Sequence, residues 1–421
     1  MKETATNSLR EKLRKYYALR FPDDMFDVWR LACSLDPENP REAFTSLGVP
    51  FSLVGPFDVL AGVFDQTKAA LPMLIHWRYS SDPAELFTVA RGNMDHLHWG
   101  YWFDDGARAA CVVSSVPVEG EAIPCGRRLV DALRAQLEHA CAGGEVSSLP
   151  KLRSRILELG TSERSEQGEA YLERYVEGDT LARQARRAEA IVPTSEGMGI
   201  AGTLASFEPL SVADDGLQLA ILTTEGRTKL VDEAGDAITR GLPVKALKIA
   251  KEIWWRGVLE FPEIERASYA LLIDAYEAMG RPLLAEVVRA HSANRYLASI
   301  DLSDQSGASA PFELTHLLVD GVDVLHLVGA FDGQGASLEK LQDAIMAGKS
   351  RFVVACARLD QLEMSGIIAL LGLQNRARFM GGQVKLADLR GQPREILEGT
   401  RLSSRFDCCA SVDEARSRFE A

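Results

Sequence analysis

Apolar and polar residues alternate at every second position in two short runs, LIHWRY and HLHWGYWF. Turn-forming residues lie between and after them, Ser80-Ser81-Asp82-Pro83 and Arg91-Gly92-Asn93-Met94-Asp95. The pattern predicts short β-strands in a meander, the central sheet of a first domain. Ahead of it the period lengthens. Leu9, Leu13, Tyr16, Tyr17 and Phe21 recur at helical spacing, and Phe26, Trp29, Leu31 and Ala32 begin a second amphipathic segment. Pro40 fits the first turn of a further short helix, and Gly55-Pro56 predicts a buried turn inside the apolar run FSLVGPFDVLAG.

Beyond the aromatic stretch, ACVVSSVPVEG predicts a strand, and 127–142 an amphipathic helix closed by Gly143-Gly144. Residues 150–189 turn to charged helix, and AEAIVPTSEGMGIAG returns to strand and glycine-rich turn. LQLAIL predicts a strand followed by a helix. Residues 247–261 and 264–291 predict two more helical segments, the second broken at Gly280-Arg281-Pro282. LASIDLSDQSGASAPFE is poor in apolar residues and predicts a linker.

The rhythm then changes to strand and helix in alternation: VDVLHLVGAF, SLEKLQDAIMAG, SRFVVACARLDQLE, MSGIIALLGLQNRARFMGG, QVKLADL, QPREILEGTRLSSRF. Alternation at this spacing predicts an α/β domain with a sheet covered by helices. The expected fold class is thus an α+β N-terminal region with a central antiparallel or mixed sheet and a helical second half, followed by that α/β domain. The expected boundaries are 1–148 for the aromatic sheet domain, 149–295 for its helical second part, 296–312 for a linker and 313–421 for the last domain.

Composition narrows the function classes. At 421 residues the chain exceeds one ordinary core. No run approaches the roughly 18 to 20 apolar residues that span a bilayer, and the first residues lack the apolar centre of an export signal. Seven cysteines without a CxxC pair give no disulfide framework or zinc pattern, and Cys408-Cys409 fits strand packing better than redox chemistry. Together these predict a cytoplasmic, reduced protein with no membrane partner. A net charge of −13 repels phosphate backbones. In the Arg-rich stretch 151–187 arginine alternates with glutamate, as on a solvated helix, so no direct nucleic-acid binding is expected.

Candidate chemistry is sparse. His96 and His98 share one strand face and could hold a metal, but no third ligand stands at a matching spacing, and the surrounding Trp99, Tyr101 and Trp102 favour packing. Asp104-Asp105 before Gly106 fits a turn better than a carboxylate pair. Gly197, Gly199 and Gly202 do not follow the dinucleotide-binding spacing. There is no nucleophile elbow, HExxH or phosphate-cradling loop, so neither a cofactor nor a stand-alone enzyme is expected.

Two resemblances add to this reading. FDVWRLACSLDPENPREAF, LVGPFDVLAG, HWRYSSDPAELFTV, HLHWGYWFDD and RPLLAEVVRAHSANR resemble, in order, segments of the histone PARylation factor family, over about 27–295. The resemblance implies an accessory protein that docks on a poly(ADP-ribose) polymerase and inserts an acidic residue, completing a composite site that transfers ADP-ribose to serine. In this sequence Glu252, in KIAKEIWWRG, stands where that family has an acidic pair; its implied role is general base. Only one of the pair is acidic here. The family's Tyr-Arg pair falls loosely on Ile200 and Ala201, which removes a charge-assisted contact.

Residues of about 318–420 resemble STAS domains of the anti-sigma factor antagonist type. Where that family has Asp-Ser-Ser-Gly and phosphorylates the first serine, this chain reads Glu363-Met364-Ser365-Gly366. Ser365 could carry a regulatory phosphate at a helix N-terminus, or serve only as a cap. The expectation is a non-enzymatic regulatory protein acting by protein–protein binding. Its partner is either an ADP-ribosyltransferase-like enzyme served by Glu252 in trans, or an anti-sigma factor or kinase bound through the STAS-like domain.

Overall fold

The computed structural model describes residues 2–65, 72–79, 81–93, 97–116, 121–142, 149–160, 186, 188–212, 214–257, 265–294, 300–302, 313–319, 321–331, 341, 351–379, 381–399 and 405–419. They fall into two compact units. The first holds the described residues up to Trp255 with Ala267–Ala293 and 300–302, and the second is built on the residues from 313 onward.

The first unit is organised by a five-stranded antiparallel meander, β1 (Ser52–Leu53), β2 (Leu86–Arg91), β3 (His98–Trp102), β4 (Cys111–Ser115) and β5 (Ile123–Gly126), in that order across the sheet. HLHWGYWF does form a strand, but LIHWRY does not. Met73–Ile75 is a 3₁₀ turn and Trp77 takes a positive φ of 56°. The cause is Arg78, whose buried guanidinium donates to the carbonyls of Leu74, Pro83 and Leu86. Those bonds hold the segment in a loop, and LFTVAR takes the strand position beside β3. Trp99, Tyr101 and Trp102 are fully buried. Between them Gly100 lies so close to β2 that an added Cβ would sit 2.5 Å from the Phe87 carbonyl oxygen.

Helices α1 (Lys2–Arg14) and α2 (Asp23–Leu35) precede the sheet, as the helical spacing predicts. Asp24 of α2 is buried, and its Oδ2 accepts from Tyr101 Oη at 3.0 Å and from the Leu129 amide at 2.6 Å. Gly55, at φ +65°, turns the chain into α3 (Pro56–Leu60), where Asp58 accepts from the Gly55 amide. α4 (Leu129–Ala142) and α5 (Leu149–Glu158) follow. Most of the expected charged helix, 161–185, lies outside the described residues.

A hairpin of β6 (Ala190–Val192) and β7 (Ile200–Gly202) leads to α6 (Asp214–Leu222), α7 (Thr224–Thr239) and α8 (Pro243–Glu252). LQLAIL is therefore helix, not strand. Leu217 and Ile221, four apart, are buried while Leu219 and Leu222 are exposed, a helical period in a run that is apolar but for Gln218. α8 runs into a π-helical turn, Ile253–Gly257, and α9 (Glu265–Ala278) and α10 (Pro282–Asn294) are separated at Gly280, φ +70°. Part of the expected linker packs in this unit. The Trp77 amide donates to the Ile300 carbonyl, and the Leu302 amide donates to His76 Nδ1 at 3.1 Å.

The second unit carries a five-stranded mixed sheet in the order β12-β11-β10-β9-β8. Its strands are β8 (Glu313–Val319), β9 (Val322–Phe331), β10 (Arg351–Leu362), β11 (Gln383–Ala387) and β12 (Asp407–Cys409). β8 and β9 form an antiparallel hairpin, and the remaining pairs are parallel. The described helices are α11 (Met364–Phe379), α12 (Gly391–Gly399) and α13 (Val412–Ser417). β8 was not marked by the pattern, and SLEKLQDAIMAG lies almost wholly outside the described residues.

Cys408 and Cys409 are free thiols on β12, and Cys356 is a free thiol buried in β10. Burial pushes the Cys356 thiol up to about 12; partial burial raises the Cys408 thiol as well, but Cys408 is exposed to the reagent. At pH 8 the thiolate is the reacting form. Iodoacetamide followed by peptide mapping is therefore expected to label Cys408 and leave Cys356 unlabelled in the folded chain; equal labelling would contradict this placement.

Candidate functional site

Helix α8 is buried on all sides. Every residue from Val244 to Glu252 is buried, including Lys245, Lys248 and Lys251. A helix with that many charges stays buried only if each charge is met. Lys245 Nζ lies 2.9 Å from Glu233 Oε1 and 3.4 Å from Glu208 Oε2. Lys251 Nζ lies 2.9 Å from Glu85 Oε1 and 2.8 Å from Glu196 Oε1, and 5.3 Å from the centre of the Trp102 ring. Burial alone would lower the Lys251 pKa, but Glu196 and Glu85 outweigh it and hold the ammonium above the ordinary lysine range. Tyr276 Oη donates to Glu85 Oε1 at 2.8 Å, which joins α9 to the same cluster.

Glu252 ends this helix and is 5% exposed, so it is not a surface glutamate on a solvated face. Its Oε1 accepts from the Ser195 amide at 2.8 Å and its Oε2 from Ser195 Oγ at 2.6 Å. The turn that presents Ser195, between β6 and β7, also carries Glu196. Successive residues of one turn thus meet successive residues of one helix: Ser195 meets Glu252, and Glu196 meets Lys251. A carboxylate at 2.6 Å from a hydroxyl is in the contact that a general base needs with an alcohol it deprotonates.

The other residues marked by the sequence lie elsewhere. His98 is fully buried, with Nε2 at 3.0 Å from Asp82 Oδ1 and its ring stacked on Tyr79 at 4.1 Å. His96 lies outside the described residues. Asp105 Oδ1 accepts from the amides of Ala107 and Arg108, a turn contact. Asp104 instead pairs with Arg186 and accepts from Trp102 Nε1. The two aspartates thus face different partners. Ile200 and Ala201 are buried on β7, and the Ala201 carbonyl accepts from Arg281. Ser365 is the second residue of α11, so the position before the helix belongs to Glu363, whose amide donates to the Phe331 carbonyl at 3.1 Å.

Sequence reasoning picked out Glu252 but missed Lys251, Glu85 and Glu196. The signal for Lys251 was present: lysines at 245, 248 and 251 recur every third position within otherwise apolar residues, a charged row on a helix with no polar face to hold it. Nothing in the local sequence marks Glu85 or Glu196 as its partners, because both pairings are long-range.

The family profile described as Histone PARylation factor 1 matches residues 8–204, and the STAS domain profile matches residues 318–415. Histone PARylation factor 1 of Bos taurus is 26% identical over 319 residues, covering 70% of this chain and 88% of that one. The Mus musculus protein of the same name is 39% identical over 103 residues, 24% of this chain and 29% of that one. The Danio rerio protein is 36% identical over 105 residues, 24% and 30%. Glu252 falls beyond the family profile match, within the helical half of the first unit. A region similar to histone PARylation factors is thus followed in this chain by a region that matches the STAS domain profile.

Proposed function

We propose that the chain is a non-enzymatic regulatory adaptor that works by protein–protein binding, as an accessory factor of an ADP-ribosyltransferase. The observation that carries this reading is the pairing of Glu252 with Ser195 in a region whose relatives are histone PARylation factors. On docking, the acceptor serine of a substrate takes the place of the Ser195 hydroxyl at Glu252 Oε2. The carboxylate accepts its proton as the oxygen attacks the ribose carbon of the partner-bound donor, and the bond from that carbon to the donor's leaving group breaks, the leaving group departing on the partner. The buried lysine and glutamate cluster beside it keeps the end of α8 fixed while this exchange occurs.

The test is serine ADP-ribosylation reconstituted with the transferase recovered from the native cell by the full chain. Glu252→Gln keeps the hydrogen bonds of one oxygen and removes the base. Labelling is expected to fall by about 100-fold or more, and Ser195→Ala is expected to leave it at least as high as in the parent. Labelling that is unchanged in Glu252→Gln, with melting also unchanged, removes Glu252 from the reaction.

A second reading rests on the STAS domain match. There the second unit docks on an anti-sigma factor or kinase, and Ser365 in the first turn of α11 is the regulated position. A phosphate there meets the free amides of a helix N-terminus. Phosphopeptide mapping of the chain from the native cell decides it: an unmodified Ser365 leaves constitutive docking and removes the switch. Among the described residues no helix is long and apolar enough to cross a membrane.

A further inference from the structure

Thr194 and Ser195 carry adjacent hydroxyls in the turn that joins β6 to β7, and their surroundings differ. Thr194 Oγ1 is buried without a hydrogen-bond partner. Ser195 is only half-buried, and its Oγ donates to Glu252 Oε2 at 2.6 Å. The backbone sets that contact. The Ser195 amide donates to Glu252 Oε1, Glu196 pairs with Lys251, and the Glu196 carbonyl accepts from the Ala122 amide at 2.7 Å. Gly197 follows at φ +92°, where an added Cβ would lie 2.7 Å from Glu121 Cβ. The turn is thus pinned around the serine, and rotation about χ1 alone moves the hydroxyl on or off the carboxylate.

A serine held in this way does more than block the site. It stands where the acceptor stands in the reaction proposed above, with a carboxylate already on its proton. Being part of the chain, it competes with an outside serine as a fixed neighbour and not as a diffusing reactant, an advantage that proximity makes large.

We propose that Ser195 is itself an ADP-ribosyl acceptor, so that the chain modifies its own turn when the transferase docks. This step depends on the role proposed for Glu252. The donor is a dinucleotide that carries ADP-ribose on nicotinamide, held by the partner. Ser195 Oγ bonds to the anomeric carbon of the ribose, and its proton passes to Glu252 Oε2. The bond from that carbon to the nicotinamide nitrogen breaks, and nicotinamide leaves with the electron pair. The product holds its ADP-ribosyl group over the carboxylate, so a modified copy no longer serves an outside serine.

The full chain is incubated with the transferase recovered from the native cell and the labelled dinucleotide, with and without a synthetic single-serine peptide, and then mapped by mass spectrometry. Label on Ser195 and none on Thr194 is expected. Excess peptide should lower the Ser195 label, because both hydroxyls need Glu252 Oε2, and Glu252→Gln should lower it about 100-fold. A mixture of the Ser195→Ala chain, which keeps the base, with the Glu252→Gln chain, which keeps the acceptor, should leave the turn unlabelled in both. Parent-level label on Ser195 of the Glu252→Gln chain, alone or in that mixture, overturns the proposal. If Glu252→Gln melts below the parent, the competition decides instead: peptide that is labelled without lowering the Ser195 label overturns it. An unlabelled Ser195 beside a peptide labelled through Glu252 also overturns it and leaves the role of Glu252 standing. If neither is labelled, both fall.

Discussion

Lys251→Met is expected to destabilise the first unit by about 3–5 kcal/mol, the effect of leaving one half of a buried ion cluster without its counter-charge. Glu85 and Glu196 are each 2% exposed or less at the side chain, and Lys251 is 3% exposed, so little solvent is present to screen the loss. For a unit of this size that corresponds to a melting temperature lower by roughly 6–20 °C, which calorimetry on the full chain would read. The pH dependence follows from the direction of the shift. The folded pKa of Lys251 is raised above its unfolded value, so its contribution is fully present below the unfolded lysine value of about 10.4 and is lost as pH rises through the folded value. The parent chain should therefore lose stability above about pH 10.4 by a step that Lys251→Met lacks. Combining Lys251→Met with Glu196→Gln should recover part of the loss, because one uncompensated carboxylate has then been removed. A single-variant loss below about 1 kcal/mol would mean that water reaches the cluster and that α8 is not the buried centre of the unit.

Much of the architecture was legible because it rests on short-range pattern. The meander around HLHWGYWF, the break at Gly280 and the alternation after β8 all follow from periodicity and turn residues, which act over a few positions. The two errors share a cause. LIHWRY alternates like a strand, yet Arg78 found carbonyl partners that hold it in a loop. LQLAIL is apolar but for Gln218, and the burial of Leu217 and Ile221 against exposed Leu219 shows its helical period. In each case a tertiary contact chose between conformations that the local sequence allowed.

The candidate site was less legible. The histone PARylation factor resemblance marked Glu252, but its partner Ser195 lies 57 residues earlier, in a turn that had been read only for its glycines. Glu85, Glu196 and Lys251 come from β2's approach, a hairpin turn and a helix, and only folding brings them together. Ile200 and Ala201 show the converse. They could be placed against a Tyr-Arg pair only loosely, by order along the chain, and both are buried in β7.

The Ser365-Gly366 junction separates a regulatory motif from a packing requirement, and its glycine is expected to matter to the fold more than its helical setting suggests. Gly366 lies in the first turn of α11, where an added Cβ would sit 2.5 Å from the Phe331 carbonyl oxygen and 3.0 Å from both Leu362 Cδ1 and Phe331 Cδ1. The oxygen cannot give way easily, because it already accepts from the Glu363 amide and ends β9. Nor can the helix retreat without opening the contacts of Ile367, Leu370 and Leu373, all buried. Overpacking of this kind costs up to about 3 kcal/mol, while replacing glycine by alanine inside a helix returns about 1 kcal/mol. Gly366→Ala should therefore destabilise the second unit by about 2 kcal/mol net, seen as faster hydrogen exchange at the β9 and β10 amides. Gly235, in the interior of α7, is the matching control: nothing lies within 4 Å of its added Cβ, so Gly235→Ala should stabilise the first unit by about 0.4–1 kcal/mol. Opposite signs for one chemical change would show that the glycine of the junction is kept by the close approach of helix to strand, whether or not Ser365 beside it is ever modified. Equal and stabilising effects at both positions would show that α11 can shift, and would return the glycine to the regulatory motif.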